Sequence, residues 1–247
     1  MRYWDKAWSL ISGCTPVIPA CDNCWLAGMA YRFQQEWKDG TPLTDERGKF
    51  YGQISINEDK LGLPLKTKKP TTFAVWSDLF HKDVPIQFIQ RALSVMAHCP
   101  QHTFLVCTKR PERLEPVMSG QEGNFYMGGG DYFDNVFLGT TTENQEMADK
   151  RIPELLKCEP SKLFLSVEPM LSSIVVPQER LKKLHVIIIG CESGPHSRET
   201  KIEWVEDLAE QCIKAGTPFW IKQLRQNGKM IYNQPSSSIG VEGLWKC

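Results

Sequence analysis

The sequence predicts an α/β protein built on parallel strands, and three observations carry that prediction. Short, almost continuously apolar segments recur along the chain, as strands buried on both faces require. Stretches with helical spacing alternate with them, which is the rhythm of parallel crossover units. Polar clusters follow the apolar segments directly, where the C-terminal ends of parallel strands build sites. A right-handed parallel sheet or a partly closed barrel satisfies all three.

In chain order, residues 8–12 (Trp-Ser-Leu-Ile-Ser) read as a first strand that leads into a cysteine-rich loop. A helix is expected over 25–37, with Leu26, Met29, Ala30 and Phe33 on one stripe, and then a connection over 39–70 without a clear pattern. Further strands are expected at 72–76, 103–107, 136–139, 163–167, 186–189 and 219–221, with helices at 85–98, 111–118, 144–157 and 202–215. Residues 119–135, which include Gly128, Gly129 and Gly130, read as an insertion at one rim. One domain is expected over 1–223, followed by a loosely ordered tail over 224–247 in which Trp245 docks.

Bulk properties restrict the function classes. A length of 247 residues permits a full core in one large domain, and 41% apolar with 23% charged residues is ordinary for a globular chain. There is no basic segment followed by an apolar run at the start and no apolar stretch of about 18 residues, so a cytoplasmic, non-membrane protein is expected. Lys and Arg total 29 and Asp and Glu total 29, which argues against a dedicated duplex-binding surface and leaves room for nucleic acid in a local groove.

Nine cysteines are many for a reducing compartment. Cys99, Cys107, Cys158, Cys191 and Cys212 sit in or beside apolar runs and read as buried small hydrophobes. Cys14, Cys21 and Cys24 differ, because the spacing C-x6-C-x2-C lets three thiolates converge on one metal centre. A closed zinc site needs a fourth ligand, for which Cys191 or a histidine is available. A [4Fe–4S] cluster on three cysteines leaves one iron open, and that opens the way to chemistry.

The polar clusters at the expected strand ends are Ser77-Asp-Leu-Phe-His81, Thr108-Lys-Arg110, Thr140-Thr-Thr-Glu-Asn144, Glu168, Gly190-Cys-Glu-Ser-Gly194 and Lys222-Gln223. Each has a structural alternative: Asp78 as the cap of the next turn, Glu143 in a helix N-terminal turn, Gly190 and Gly194 as turn glycines. Lys66, Lys68 and Lys69 read as a solvated loop or a phosphate contact.

The ordered motifs resemble a known family. Gly-Cys-Thr-x-x-x-Pro-x-Cys-x-x-Cys, Ser77-Asp-Leu-Phe-His81, Gln101-His-Thr-Phe104, Thr108-Lys-Arg-Pro-Glu-Arg113, Glu143-Asn144, Arg151-Ile-Pro153, Ser166-Val-Glu-Pro169 and Glu-Ser-Gly-Pro195 are similar to those of the phage-associated radical-SAM-like proteins, from about residue 4 to residue 223. The resemblance implies a partial (β/α)6-type barrel that binds a [4Fe–4S] cluster on Cys14, Cys21 and Cys24 together with S-adenosylmethionine. It implies cofactor contacts from Trp25, Ser77, Asp78, Thr108, Thr141, Glu143, Ser166, Glu168, Gly190 and Glu192, and substrate contacts from His81, Lys109, Arg110, Arg198 and Lys222.

This cysteine spacing is three residues longer than the commoner C-x3-C-x2-C, with Pro16 and Pro19 stiffening the longer loop. The residue before the third cysteine is Asn23, where an aromatic is usual, and Trp25 follows it. The implied activity is rearrangement of a hypermodified thymine in phage DNA by an isomerase of the infected host's cytoplasm, driven by a flavodoxin- or ferredoxin-type electron donor. Repair or modification of another nucleic-acid base, as in a photoproduct lyase, is the alternative. A small-molecule substrate and a zinc-binding, non-catalytic phage accessory protein are further ones.

Overall fold

The structure is a computed structural model and describes residues 3–37, 39–120, 134–158, 161–194, 196–226 and 229–234. The chain is α/β. It divides into two compact units, Trp4–Phe137 and Leu138–Cys247, the second of which also holds Met1–Tyr3.

The N-terminal unit contains β1 (Lys6–Trp8), β2 (Ile11–Gly13), α1 (Trp25–Arg32), β3 (Ile54–Ile56), α2 (Leu63–Lys66), β4 (Thr72–Val75), α3 (Ile86–Ala97), β5 (Thr103–Thr108) and α4 (Leu114–Met118). β4 pairs in parallel with β1 and with β5, placing Trp8 beside Val75 and Val75 beside Val106. Large apolar side chains explain the ladder. Trp8, Phe73 and Phe104 are wholly buried, with the rings of Phe73 and Phe104 stacked at 5.5 Å. α3 has one buried apolar face, because Phe88, Ile89, Ala92, Leu93 and Met96 recur every three or four residues and are all buried.

The expected strand over 8–12 is in fact two. β1 ends at Trp8, whose carbonyl accepts from both Leu10 and Trp76. The chain then turns, and β2 pairs antiparallel with β3, a strand inside the connection that shows no periodicity. Asn57 stabilises this break by donating to the Ser9 carbonyl at 2.8 Å, while its own N–H meets the Leu10 carbonyl at 2.9 Å. The first helix is also shorter than its apolar stripe suggests. It stops at Arg32, and Gln34 takes a left-handed backbone (φ 47°) that no helix continues through.

β6 (Val136–Thr141) starts at the end of the N-terminal unit and runs into the C-terminal one. The C-terminal unit continues with α5 (Gln145–Leu156), β7 (Lys162–Val167), α6 (Gln178–Leu181), β8 (Val186–Gly190), α7 (Ile202–Ala215), β9 (Phe219–Gln226) and β10 (Lys229–Gln234). Its strand order is β6-β7-β8-β9-β10. The pairs β7/β8 and β8/β9 are parallel, and β9/β10 is antiparallel. Asn144 caps α5 by accepting from the Met147 N–H at 2.9 Å, and Gly216 ends α7 in the left-handed conformation (φ 72°). Of the segment after 222, expected to be loose, the described residues through 234 instead complete β9 and form β10, with Leu224 opposite Ile231. Gly128, Gly129, Gly130 and Trp245 lie outside the described residues. No described helix is long and apolar enough to cross a membrane.

Candidate functional site

The cysteine loop leaves β2 and returns through a single 3-10 turn, Pro19–Cys21, into α1. Cys14, Cys21 and Cys24 are each half-buried, whereas Cys99, Cys158, Cys191 and Cys212 are buried. Burial of those four agrees with the sequence reading; Cys107 is half-buried. Cys14 and Cys24 both pack against the small apolar cluster of Ala27, Ala30, Leu43 and Phe50. Burial, then the charge of Asp78, push the Cys14 thiol up to about 11 against the pull of Arg110 and Lys109, and Cys24 is near enough to add to the rise.

Side chains from the ends of β4 and β5 meet this loop on both sides of Cys14. Ser77, itself in a left-handed backbone (φ 63°), donates its hydroxyl to the Gly13 carbonyl at 2.5 Å. Arg110 donates from Nη2 to the Thr15 carbonyl at 3.2 Å. His81, wholly buried, places Nε2 2.7 Å from the Thr15 hydroxyl, which in turn donates to the Gly52 carbonyl at 2.8 Å. The His81 Nδ1 accepts from the Asp83 N–H, so the proton sits on Nε2 and the ring donates to Thr15. Burial, aided by Arg110, holds the His81 pKa below its ordinary value.

Behind Arg110 stands a buried carboxylate. Asp78 accepts from Arg110 Nη1 at 2.6 Å on one oxygen, and from the Thr108 hydroxyl at 2.6 Å and the Phe80 N–H at 3.1 Å on the other. The cap expected of Asp78 is therefore present, together with an ion pair that joins residues 32 apart in sequence. Arg113, not singled out from the sequence although it lies in a quoted motif, donates to the carbonyls of Phe80, His81 and Val84 and so shapes the loop after β4. Gly13 has no room for a side chain: a Cβ there would lie 2.3 Å from the Gln53 carbonyl and 2.7 Å from the Trp37 ring. Trp25 opens α1 half-exposed, with its ring edge-on to Trp76 at 5.0 Å. Lys109 is intermediate in exposure.

The expected residues of the C-terminal unit form three ion pairs. Glu143 pairs with Arg151 at 3.2 Å, both buried, and the same guanidinium donates to the Thr141 carbonyl at 3.0 Å and hydroxyl at 3.2 Å. Glu192 is buried under Arg198, which meets it through the guanidinium and through its backbone N–H at 2.7 Å. Lys222 stands 2.9 Å from Glu168, held by charge because the angle is too poor for a hydrogen bond to that oxygen. The ammonium also lies over the Tyr3 ring at 5.4 Å, and the Ser166 hydroxyl reaches the other Glu168 oxygen at 3.5 Å. Gly190 makes room for that carboxylate, since a Cβ would come within 2.7 Å of it. Of the three carboxylates Glu168 is the most exposed, at 12% against 2% for Glu143 and Glu192, while of the cations Arg198 at 37% exceeds Lys222 at 29%. A cavity of about 870 Å³ beside the start of α7 is lined by Glu199, Lys201, Trp204 and Arg225 among others, and none of the sequence-derived site residues lines it.

In donor type and number the three thiols fit a [4Fe–4S] cluster with one open iron, and two of them share one apolar patch. As the side chains stand, no three His, Cys, Asp or Glu among the described residues are gathered into a group that could hold a metal ion. The fold and site together define an α/β protein that carries a half-buried three-thiol loop pinned by strand-end polar residues. Residues 1–238 match the family described as protein of unknown function, DUF5131, and the chain belongs to that family. No curated protein and no solved structure matches it.

Proposed function

We propose that this chain is a radical S-adenosylmethionine enzyme in which Cys14, Cys21 and Cys24 hold a [4Fe–4S] cluster, and that it rearranges a hypermodified thymine of phage DNA. The observation that carries the reading is the contrast among the described cysteines: three half-buried thiols share one loop, while four others are buried and Cys107, also half-buried, stands alone in β5. Structural cysteines have no need of such a loop. When bound, the cluster and S-adenosylmethionine would supply one-electron cleavage of a sulfonium and a carbon radical for hydrogen abstraction.

The chain's own residues would bind and orient. Cys14 and Cys24 already lie against one patch, and Cys21, at the end of the turn Pro19–Cys21, would supply the third thiol. The half-open Glu168–Lys222 pair offers one carboxylate and one ammonium to a zwitterion or a phosphate. Parallel strands with intervening helices in each unit agree with a partial (β/α)6-type barrel. A flavodoxin- or ferredoxin-type donor would supply the electron, and a cytoplasmic setting in an infected host suits the reading.

Anaerobic purification with iron, sulfide and zinc analysis tests this against a Cys14/Cys21/Cys24→Ala triple variant. About four irons and four sulfides per chain, lost in the variant, are expected. About one zinc with no iron would replace the cluster by a zinc site and end the radical mechanism. With the cluster established, reductant-dependent cleavage of S-adenosylmethionine is expected. If every candidate modified thymine is then left unchanged in duplex and single-stranded DNA, the thymine assignment falls, and other nucleic-acid bases are next to be assayed.

A further inference from the structure

We propose that Ser77, His81 and Arg110, with Asp78 and Thr108 behind the arginine, are positioning residues that preset Cys14 as the fixed ligand onto which Cys21 and Cys24 close. The inference rests on the three-cysteine reading of the site but concerns the chain's own geometry.

Its ground is an asymmetry within eleven residues. Both chain neighbours of Cys14 are tied by side chains from distant segments: the Gly13 carbonyl by Ser77, the Thr15 carbonyl by Arg110 and the Thr15 hydroxyl by His81. Gly13 is further wedged between the Gln53 carbonyl and the Trp37 ring. These ties span 64, 95 and 66 residues, so they fix Cys14 to the ends of β4 and β5 rather than to its own loop. The backbone N–H bonds of the other two thiols are local, Cys21 to Ile18 at 2.9 Å and Cys24 to Cys21 at 3.3 Å, and the bond that Lys49 makes to Asp22, the neighbour of Cys21, is exposed rather than buried.

Arg110 suits the clamp because its fork serves two acceptors at once, Asp78 with one nitrogen and Thr15 with the other. A lysine would keep the charge and lose the bridge. Presetting one ligand lowers the ordering entropy that metal binding must overcome.

Cadmium alone, titrated anaerobically into the apo chain and followed by thiolate-to-metal charge-transfer absorption, reads the ligand set without the cluster or any turnover. Arg110→Met and Arg110→Lys are each expected to weaken cadmium binding about tenfold, and Ser77→Ala about fivefold, the scale of one lost hydrogen bond. Ser77→Ala removes no buried charge, so it tests the clamp even where the arginine variants fold poorly, and its urea midpoint is expected to fall only slightly, by one hydrogen bond. Loss of the cation also weakens binding, because Arg110 favours the Cys14 thiolate, so it is the charge-keeping Arg110→Lys whose weaker binding reports position rather than charge. Wild-type affinity in Ser77→Ala, or restored affinity in Arg110→Lys, would overturn the clamp. A wild-type chain that binds cadmium through three thiols but takes up no iron would defeat the proposed function and leave the clamp to be judged by the variants.

Discussion

The polar residues after β4 and β5 and those after β6 to β9 look alike in sequence, yet their hydrogen bonds go to different places. In the N-terminal unit Asp78 pairs with Arg110, but Ser77, His81 and that same Arg110 also reach out to another segment, ending on Gly13 or Thr15. In the C-terminal unit they turn on one another, as Glu143–Arg151, Glu192–Arg198 and Glu168–Lys222. The first arrangement organises a loop whose thiols stay half-buried. The second satisfies charge in place, with Arg198 and Lys222 still partly exposed. The same residue types therefore pin the cysteine loop in one unit and neutralise buried charge in the other.

The sharpest way to break this comparison is Arg151→Met. It leaves Glu143 buried without its cation, and a loss of about 3–5 kcal/mol in urea unfolding is expected. A loss under about 1 kcal/mol would mean that this pair does no more than a surface one. Next is Gly13→Ala, which places a Cβ against Gln53 in a left-handed backbone; about 2–3 kcal/mol should be lost, together with cadmium or iron uptake. Uptake unchanged would separate the loop's conformation from metal uptake.

A pH series sharpens the role of His81. Its folded pKa lies below the unfolded value of about 6.5, so its contribution to stability is complete above that value and is lost as the pH falls through it toward the folded one. Asp83, 3.6 Å from Nδ1, offsets part of the loss. The melting temperature should drop more steeply between about pH 7.5 and 5.5 in the wild-type chain than in His81→Gln; parallel curves would remove His81 from the pH dependence. The smallest effect belongs to Lys49→Ala, which breaks an exposed pair with Asp22 on the cysteine loop and should change stability by under about 0.5 kcal/mol.

Much of the architecture was legible in the sequence. The strands expected at 72–76, 103–107, 163–167 and 186–189 stand within a residue or so of β4, β5, β7 and β8, because a short apolar run flanked by turns has few other uses. The helices at 85–98, 144–157 and 202–215 appear as α3, α5 and α7 for a similar reason, with Asn144 and Gly216 marking ends that local chemistry alone sets. Site membership was legible only as a set of candidates. The motifs contained Ser77, Asp78, His81, Thr108 and Arg110, but whether each faces a ligand or a neighbour depends on partners many residues away.

By itself, then, the sequence determined the α/β class, the strand-and-helix order and the odd set of three closely spaced thiols, because periodicity, caps and spacing act over a few residues. Only the tertiary structure decided that residues 8–12 divide between two ladders, that Ile54–Ile56 and Lys229–Gln234 become strands, and that Arg110 joins Asp78 to the Thr15 carbonyl. Strand pairing and buried charge pairing draw their free energy from contacts between distant segments, and no local pattern records which segments will meet.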